Sequence, residues 1–92
     1  MYVIICYDIR DDKRRKEVFK ILKNYGVRVQ FSVFECNFSK DKYLELKEKL
    51  NKKIKEEDDD IKFYLLCESC LDKTDSIGNQ NKSMLKSDII II

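Results

Sequence analysis

The sequence predicts an α+β fold: a ferredoxin-like βαββαβ sandwich with an additional C-terminal strand, paired as a two-fold homodimer. Three observations predict it. Short β-rich apolar runs alternate with segments of helical period, as in a split βαβ unit. Each helical segment carries one apolar stripe, enough to cover a single sheet face. The first and last main strands are nevertheless apolar on both faces, so the second face needs a cover, most simply another copy of the chain.

The first strand is Met1 to Asp8, where Tyr2, Val3, Ile4, Ile5, Cys6 and Tyr7 run without a polar break. Asp11 or Asp12 caps a helix to Tyr25, with Val18, Ile21, Leu22 and Tyr25 at i, i+3, i+4, i+7. Gly26 stands where a left-handed residue closes a helix. From Val27 the residues alternate, Val27, Val29, Phe31 and Val33 against Arg28, Gln30, Ser32 and Phe34, and the run continues to Phe38. It is one long bent strand or two strands with a tight reversal, and no usual hairpin dipeptide decides between them. Ser39 caps the second helix, stapled by Phe38 and Tyr43, with Tyr43, Leu46, Leu50 and Ile54 as its stripe. Glu45–Lys49 and Glu48–Lys52 are i,i+4 pairs on its wet side.

Glu56 to Asp60 is an acidic run that reads as a solvated loop ending the helix; it lacks the glycine of a calcium loop. Ile61 to Cys67 is the next strand. The chain then turns polar, with a possible short strand at Ile77–Gly78, before Asp88 and four isoleucines. An exposed apolar edge is an aggregation hazard, so this terminal run must pair with its own sheet or a partner's. The whole is one domain, residues 1–92, with a core at 1–68 and a polar connection and strand at 69–92; a chain of 92 residues has no room for two cores.

Composition removes several function classes. Nineteen basic against 17 acidic residues leave a net charge of +2, which excludes a purely electrostatic nucleic-acid binder. An apolar fraction of 43% excludes a disordered chain. Histidine is absent, and with it the histidine triads and imidazole metal sites. The first apolar run is short with no basic segment before it, and no stretch approaches a membrane span, so a cytoplasmic protein without membrane contact is expected. Of Cys6, Cys36, Cys67 and Cys70, only the last two form a C-x-x-C. One such knuckle is short of a tetrathiolate zinc site, and buried structural cysteine is the plain reading, with redox or zinc chemistry the alternatives.

Two placements carry chemistry. Asp8 puts a carboxylate at the end of an apolar strand. The alternation puts it and Arg28 on the sheet face opposite the helices, near a two-fold axis where it meets its own copy. Two carboxylates held together share a proton or bind a cation, and without histidine a hard ion, Mg²⁺ or Mn²⁺, suits them. The plain alternative is that Asp8 ends the strand, caps the turn or pairs with Arg28. The second placement is Lys13-Arg14-Arg15-Lys16, extended by Arg10. Cations in a helix's first turn oppose its dipole, whereas a docked phosphate reverses the sign; the alternative is a solvated charged turn. A basic cluster beside a metal-binding carboxylate suits phosphodiester chemistry. Tyr7, Tyr25 and Phe34 read first as core.

The strand YVIICYDI, the helix KRRKEVFKILKNYG and the segment RVQFSVFEC together resemble the CRISPR-associated Cas2 family over about the first two-thirds of the chain. The resemblance implies two strands within Val27–Phe38, a homodimer whose C-terminal strand often joins the partner's sheet, and a CRISPR integrase subunit as partner. It implies a Mg²⁺-dependent endonuclease for RNA or duplex DNA, leaving 5′-phosphates and acting in spacer acquisition, with Asp8 and its copy as metal ligands. It also implies activity-linked roles for Tyr7, Arg15, Arg28 and Phe34; one basic family position on the first helix is Glu17 here. The rival reading is a structural dimer that bridges integrase dimers and holds protospacer DNA on Arg10, Lys13, Arg14, Arg15 and Lys16 without cutting. A third is an mRNA-cleaving toxin of related fold.

Overall fold

A computed structural model describes residues 1–75, 77 and 78. Four strands form one antiparallel sheet in the order β2-β3-β1-β4: β1 is Tyr2–Asp8, β2 Gly26–Gln30, β3 Val33–Asn37 and β4 Asp60–Leu66. Helix α1, Asp12–Lys23, links β1 to β2, and α2, Lys40–Asn51, links β3 to β4. This is the split βαβ arrangement. A short helix, α3, Glu68–Asp72, follows β4, inside the segment expected to be plain connection.

Both long helices start where the chain supplies a cap. The Asp11 carboxylate accepts from the Arg14 N–H at 2.9 Å, and the Ser39 hydroxyl accepts from the Lys42 N–H at 3.3 Å. Val18 and Leu22 of α1 and Leu46 and Leu50 of α2 are fully buried against Val3 and Ile5 of β1 and Phe34 of β3. The Phe38–Tyr43 staple is present, with ring centroids 6.1 Å apart. Glu48 reaches Lys52 at 3.4 Å and Glu45 reaches Lys49 at 3.7 Å.

The run from Val27 is a hairpin whose turn is Phe31–Ser32. No non-glycine residue described has positive φ, so the turn is not one of the primed types, which explains the missing dipeptides. An irregularity between Arg28 and Gln30 absorbs the twist mismatch. Gly26 is not a left-handed helix cap, since only Gly78 among the described residues has positive φ. It opens β2 because a Cβ there would overlap the Cys36 Sγ and the Glu35 carbonyl.

Three further expectations are corrected. Arg28 pairs in register with Phe34, which is fully buried under α1, so Arg28 lies on the helix side and Val27 on the open side. The alternation does keep Arg28 and Phe34 on one face, and the Phe34 ring rather than the valines fills the space under the helices. In the acidic run, Asp59 is buried and Asp60 begins β4, leaving only Glu56, Glu57 and Asp58 as exposed loop. Ile77 is in no strand; it is exposed, with Gly78 in a bend. The expected strand at 89–92 lies outside the described residues.

On β1 the helix-side residues Val3, Ile5 and Tyr7 are buried, whereas Tyr2, Ile4 and Cys6 on the open face are half-buried and Asp8 is exposed. Tyr64 of β4 is 51% exposed on the same open face. No helix among the described residues is long and apolar enough to cross a membrane.

Candidate nuclease site

The β1–α1 turn builds the site. Tyr7 is the last helix-side residue of β1, and two bonds tie it to the β2–β3 hairpin. Its N–H donates to the Ser32 carbonyl at 3.1 Å, and its hydroxyl donates to the Phe31 carbonyl at 3.4 Å. Burial raises the Tyr7 pKa, and the nearby Arg28 and Arg15 charges partly oppose the rise. The phenol is therefore neutral at physiological pH, a donor rather than a base.

Arg15 folds back from α1 onto the same turn. Its Nη1 donates to the Ile9 carbonyl at 3.0 Å, and its Nη2 pairs with Asp12. Arg28 comes from β2 and lays its guanidinium over the Phe19 ring, 4.9 Å from the centroid. Tyr7, Arg15, Lys16, Phe19, Arg28 and Phe31 line one open pocket of about 230 Å³. Two guanidiniums, an ammonium and a neutral phenol around an aromatic wall make an anion site with a stacking surface.

Phe34 does not reach this pocket. It is fully buried beneath it, 5.8 Å from Phe19 and 6.3 Å from Tyr7 by ring centroid. Its part is to position those two rings.

Asp8 is adjacent in sequence and opposite in direction. It lies on the open face, exposed, and its carboxylate makes no hydrogen bond or ion pair among the described residues. Its partner across the β1–β4 ladder is Asp60, whose carboxylate is 3.8 Å from the Lys62 ammonium. Like charges directly opposite on a sheet are unfavourable, and a hard cation between them removes that cost. The oxygen-only donor set fits Mg²⁺ or Mn²⁺. No group of three or more metal-ligating side chains occurs among the described residues. Asp60 escaped the sequence reading because it was counted within a loop; its position opposite Asp8 depends on strand register.

The basic cluster divides in two. Arg10, Lys13 and Lys16 are exposed. Arg14 is turned inward: its Nε donates to Asp59 Oδ2 at 2.8 Å and its Nη2 to Asp59 Oδ1 at 3.1 Å. Asp59 also accepts from the Lys55 N–H at 3.0 Å and the Arg10 N–H at 3.4 Å. The Arg14 guanidinium, with those backbone donors, lowers the Asp59 pKa to about 2.

The chain is similar to known proteins along most of its length. Residues 1–74 match the family described as CRISPR associated protein Cas2. The chain is 42% identical over 93 residues to a protein of Chloroflexus aurantiacus named CRISPR-associated endoribonuclease Cas2 1, covering all of both. It superposes on a crystal structure of Streptococcus pyogenes Cas2 with a TM-score of 0.74 and 35% identity, covering 85% of this chain and 100% of that one. A chain of a partial Cas6-RT-Cas1–Cas2 complex matches with a TM-score of 0.71 and 33% identity, over 83% of this chain and 89% of that one. With most of its length matched by family, sequence and structure alike, the chain belongs to the CRISPR-associated Cas2 family.

Proposed function

We propose that this protein is a Mg²⁺-dependent endonuclease of CRISPR spacer acquisition that hydrolyses phosphodiester bonds in RNA or duplex DNA as a homodimer. One observation carries the reading: Tyr7, Arg15 and Arg28 converge on one anion pocket at the end of the strand whose next residue is the unpaired carboxylate Asp8. Relatives named endoribonuclease, and a neighbour solved in a Cas1–Cas2 complex, support both the reaction and the integrase partner.

Asp8 and its copy across the two-fold axis would hold the ion, with Asp60 as a further oxygen donor on each side. Bound there, Mg²⁺ would supply Lewis-acid charge for phosphodiester hydrolysis. Arg15 and Arg28, on the other face of the same strand end, hold a phosphate that flanks the scissile one and so position the substrate strand. Phe31, 76% exposed at the rim of the pocket, offers a face for a flanking base. Tyr7 keeps its proton and, by donating a hydrogen bond to the Phe31 carbonyl, fixes the hairpin beside the pocket. Cleavage leaves a 5′-phosphate.

A second reading has one observation in its favour. Asp8 and the Arg15–Arg28 pocket lie on opposite faces of the sheet. A dimer that only bridges integrase subunits and grips DNA through Arg10, Lys13, Arg15 and Lys16 needs no link between the two. A side-by-side assay separates the readings. Wild type and Asp8→Ala are offered single-stranded RNA and duplex DNA, with Mg²⁺ and with chelator. Cleavage that needs both Mg²⁺ and Asp8 establishes the enzyme; salt-sensitive DNA binding with no Asp8-dependent cleavage establishes the scaffold.

A further inference from the structure

The nuclease reading leaves Cys67 and Cys70 unused. Among the described residues all four cysteines are free thiols, and these two are the exposed ones. Cys67 stands at the N-cap of α3, directly after the edge strand β4, and Cys70 lies one turn on. The turn is well closed. The Leu71 N–H donates to the Cys67 carbonyl at 3.1 Å, and Thr74 Oγ1 donates to the Cys70 carbonyl at 3.0 Å. Both side chains therefore emerge on one side, with their Sγ atoms 3.2 Å apart and Ser69 Oγ 3.1 Å from the Cys67 Sγ.

From this geometry we propose that Cys67 and Cys70 are a redox-active dithiol, cycling between two thiols and an intramolecular disulfide by exchange with low-molecular-weight disulfides of the glutathione type. At 3.2 Å the two sulfurs must close by only about 1.2 Å to reach the ~2.05 Å of a disulfide.

The thiols are also unequal, as exchange requires. Hydrogen bonds from Ser69 and from Cys70, with the backbone N–H groups of Cys70 and Ser69, lower the Cys67 pKa to about 7. Its contact with Cys67 raises that of Cys70. Cys67 is thus the attacking sulfur and Cys70 the resolving one. The remaining pair is excluded on position: Cys36 is buried, its thiol pushed up to about 12 by burial, and Cys6 is half-buried inside β1.

The exchange balances without another oxidant. The Cys67 thiolate attacks one sulfur of glutathione disulfide, forming a mixed disulfide and expelling one glutathione thiolate. The Cys70 thiol gives its proton to solvent and attacks the Cys67 sulfur, forming the Cys67–Cys70 bond and expelling the second glutathione thiolate. Two protein thiols are oxidised and one glutathione disulfide is reduced. The bond fixes the first turn of chain beyond the edge strand, so the redox state is written where the sheet meets whatever follows it.

The test uses the full chain equilibrated in glutathione buffers of graded oxidation, acid-quenched, alkylated and digested with trypsin. One tryptic peptide, residues 63–73, carries both cysteines. The expected result is that this peptide loses two hydrogens, with no adduct, as the buffer becomes more oxidising. In Cys70→Ala the same peptide instead retains glutathione on Cys67. At neutral pH the alkylation rate of Cys67 falls about twofold in Cys70→Ala, which keeps the larger effect of Ser69; the fall is the net of a smaller thiolate fraction and a more nucleophilic thiolate. A peptide that stays reduced across the series, or a wild type that stops at the glutathione adduct, overturns the proposal; so does a disulfide through Cys6 or Cys36.

Discussion

Asp59 grips Arg14 with both carboxylate oxygens, at 2.8 Å and 3.1 Å, from a side chain with no solvent exposure. The pair joins the loop before β4 to the first turn of α1. Through its bond from the Arg10 N–H it also holds the backbone two residues past Asp8. A residue in an acidic run and one in a basic run, each readable as solvated charge, instead form the clasp that shapes the turn carrying Asp8.

Removing that clasp destabilises the fold. Asp59→Ala leaves Arg14 and two backbone N–H groups without their acceptor, at a cost of about 2–3 kcal/mol. Urea unfolding measures it; a loss below the error of the extrapolation contradicts the geometry. The pH dependence has a definite sign. The folded pKa of about 2 lies below the ordinary 3.8, so the contribution is full above about pH 4 and drains away as pH falls toward 2. Asp59→Asn is expected to show a flatter stability profile than wild type across that interval.

Divalent ions are expected to stabilise the wild type by relieving Asp8 and Asp60, which face each other across the β1–β4 ladder. Mg²⁺ raises the melting temperature of wild type, chelator reverses the rise, and Asp8→Ala shows neither effect. The same substitution lowers cleavage at least about 100-fold while light scattering still reports a dimer. An Mg²⁺ response that survives in Asp8→Ala places the ion elsewhere.

Arg28 acts through a fixed guanidinium stacked on Phe19. Lysine has no planar group to stack, so Arg28→Lys is not a conservative change here. Both Arg28→Lys and Arg28→Ala are expected to reduce cleavage by roughly 10–100-fold, with thermal stability close to wild type. Equal cleavage by wild type and Arg28→Lys would mean that charge alone suffices.

Gly26 is required by space rather than by backbone conformation. Gly26→Ala drives a methyl into the Cys36 Sγ and the Glu35 carbonyl of the neighbouring strand, and is expected to cost about 1–3 kcal/mol by forcing β2 away from β3. Denaturant titration reads the loss directly. An unchanged midpoint would mean that β2, at the sheet edge, moves freely.

The sequence by itself determined the elements and most of the core. Caps at Asp11 and Ser39, the helical stripes running through Leu22 to Tyr25 and through Leu50 to Ile54, and the apolar run of β1 are local signals, because capping and periodicity act within a few residues. Asp8 was legible too, as a carboxylate where an apolar strand stops. Register, direction and pairing were decided only by the tertiary structure. Nothing within β2 says that Arg28 faces α1; that follows from its pairing with Phe34, whose ring is buried under the helices. Nothing in the acidic run separates Asp59 from its neighbours until Arg14, 45 positions earlier, is brought against it. Asp60 meets Asp8 for the same reason. Contacts between residues far apart in sequence depend on how whole elements dock, and a single strand or helix carries no record of its partner's phase.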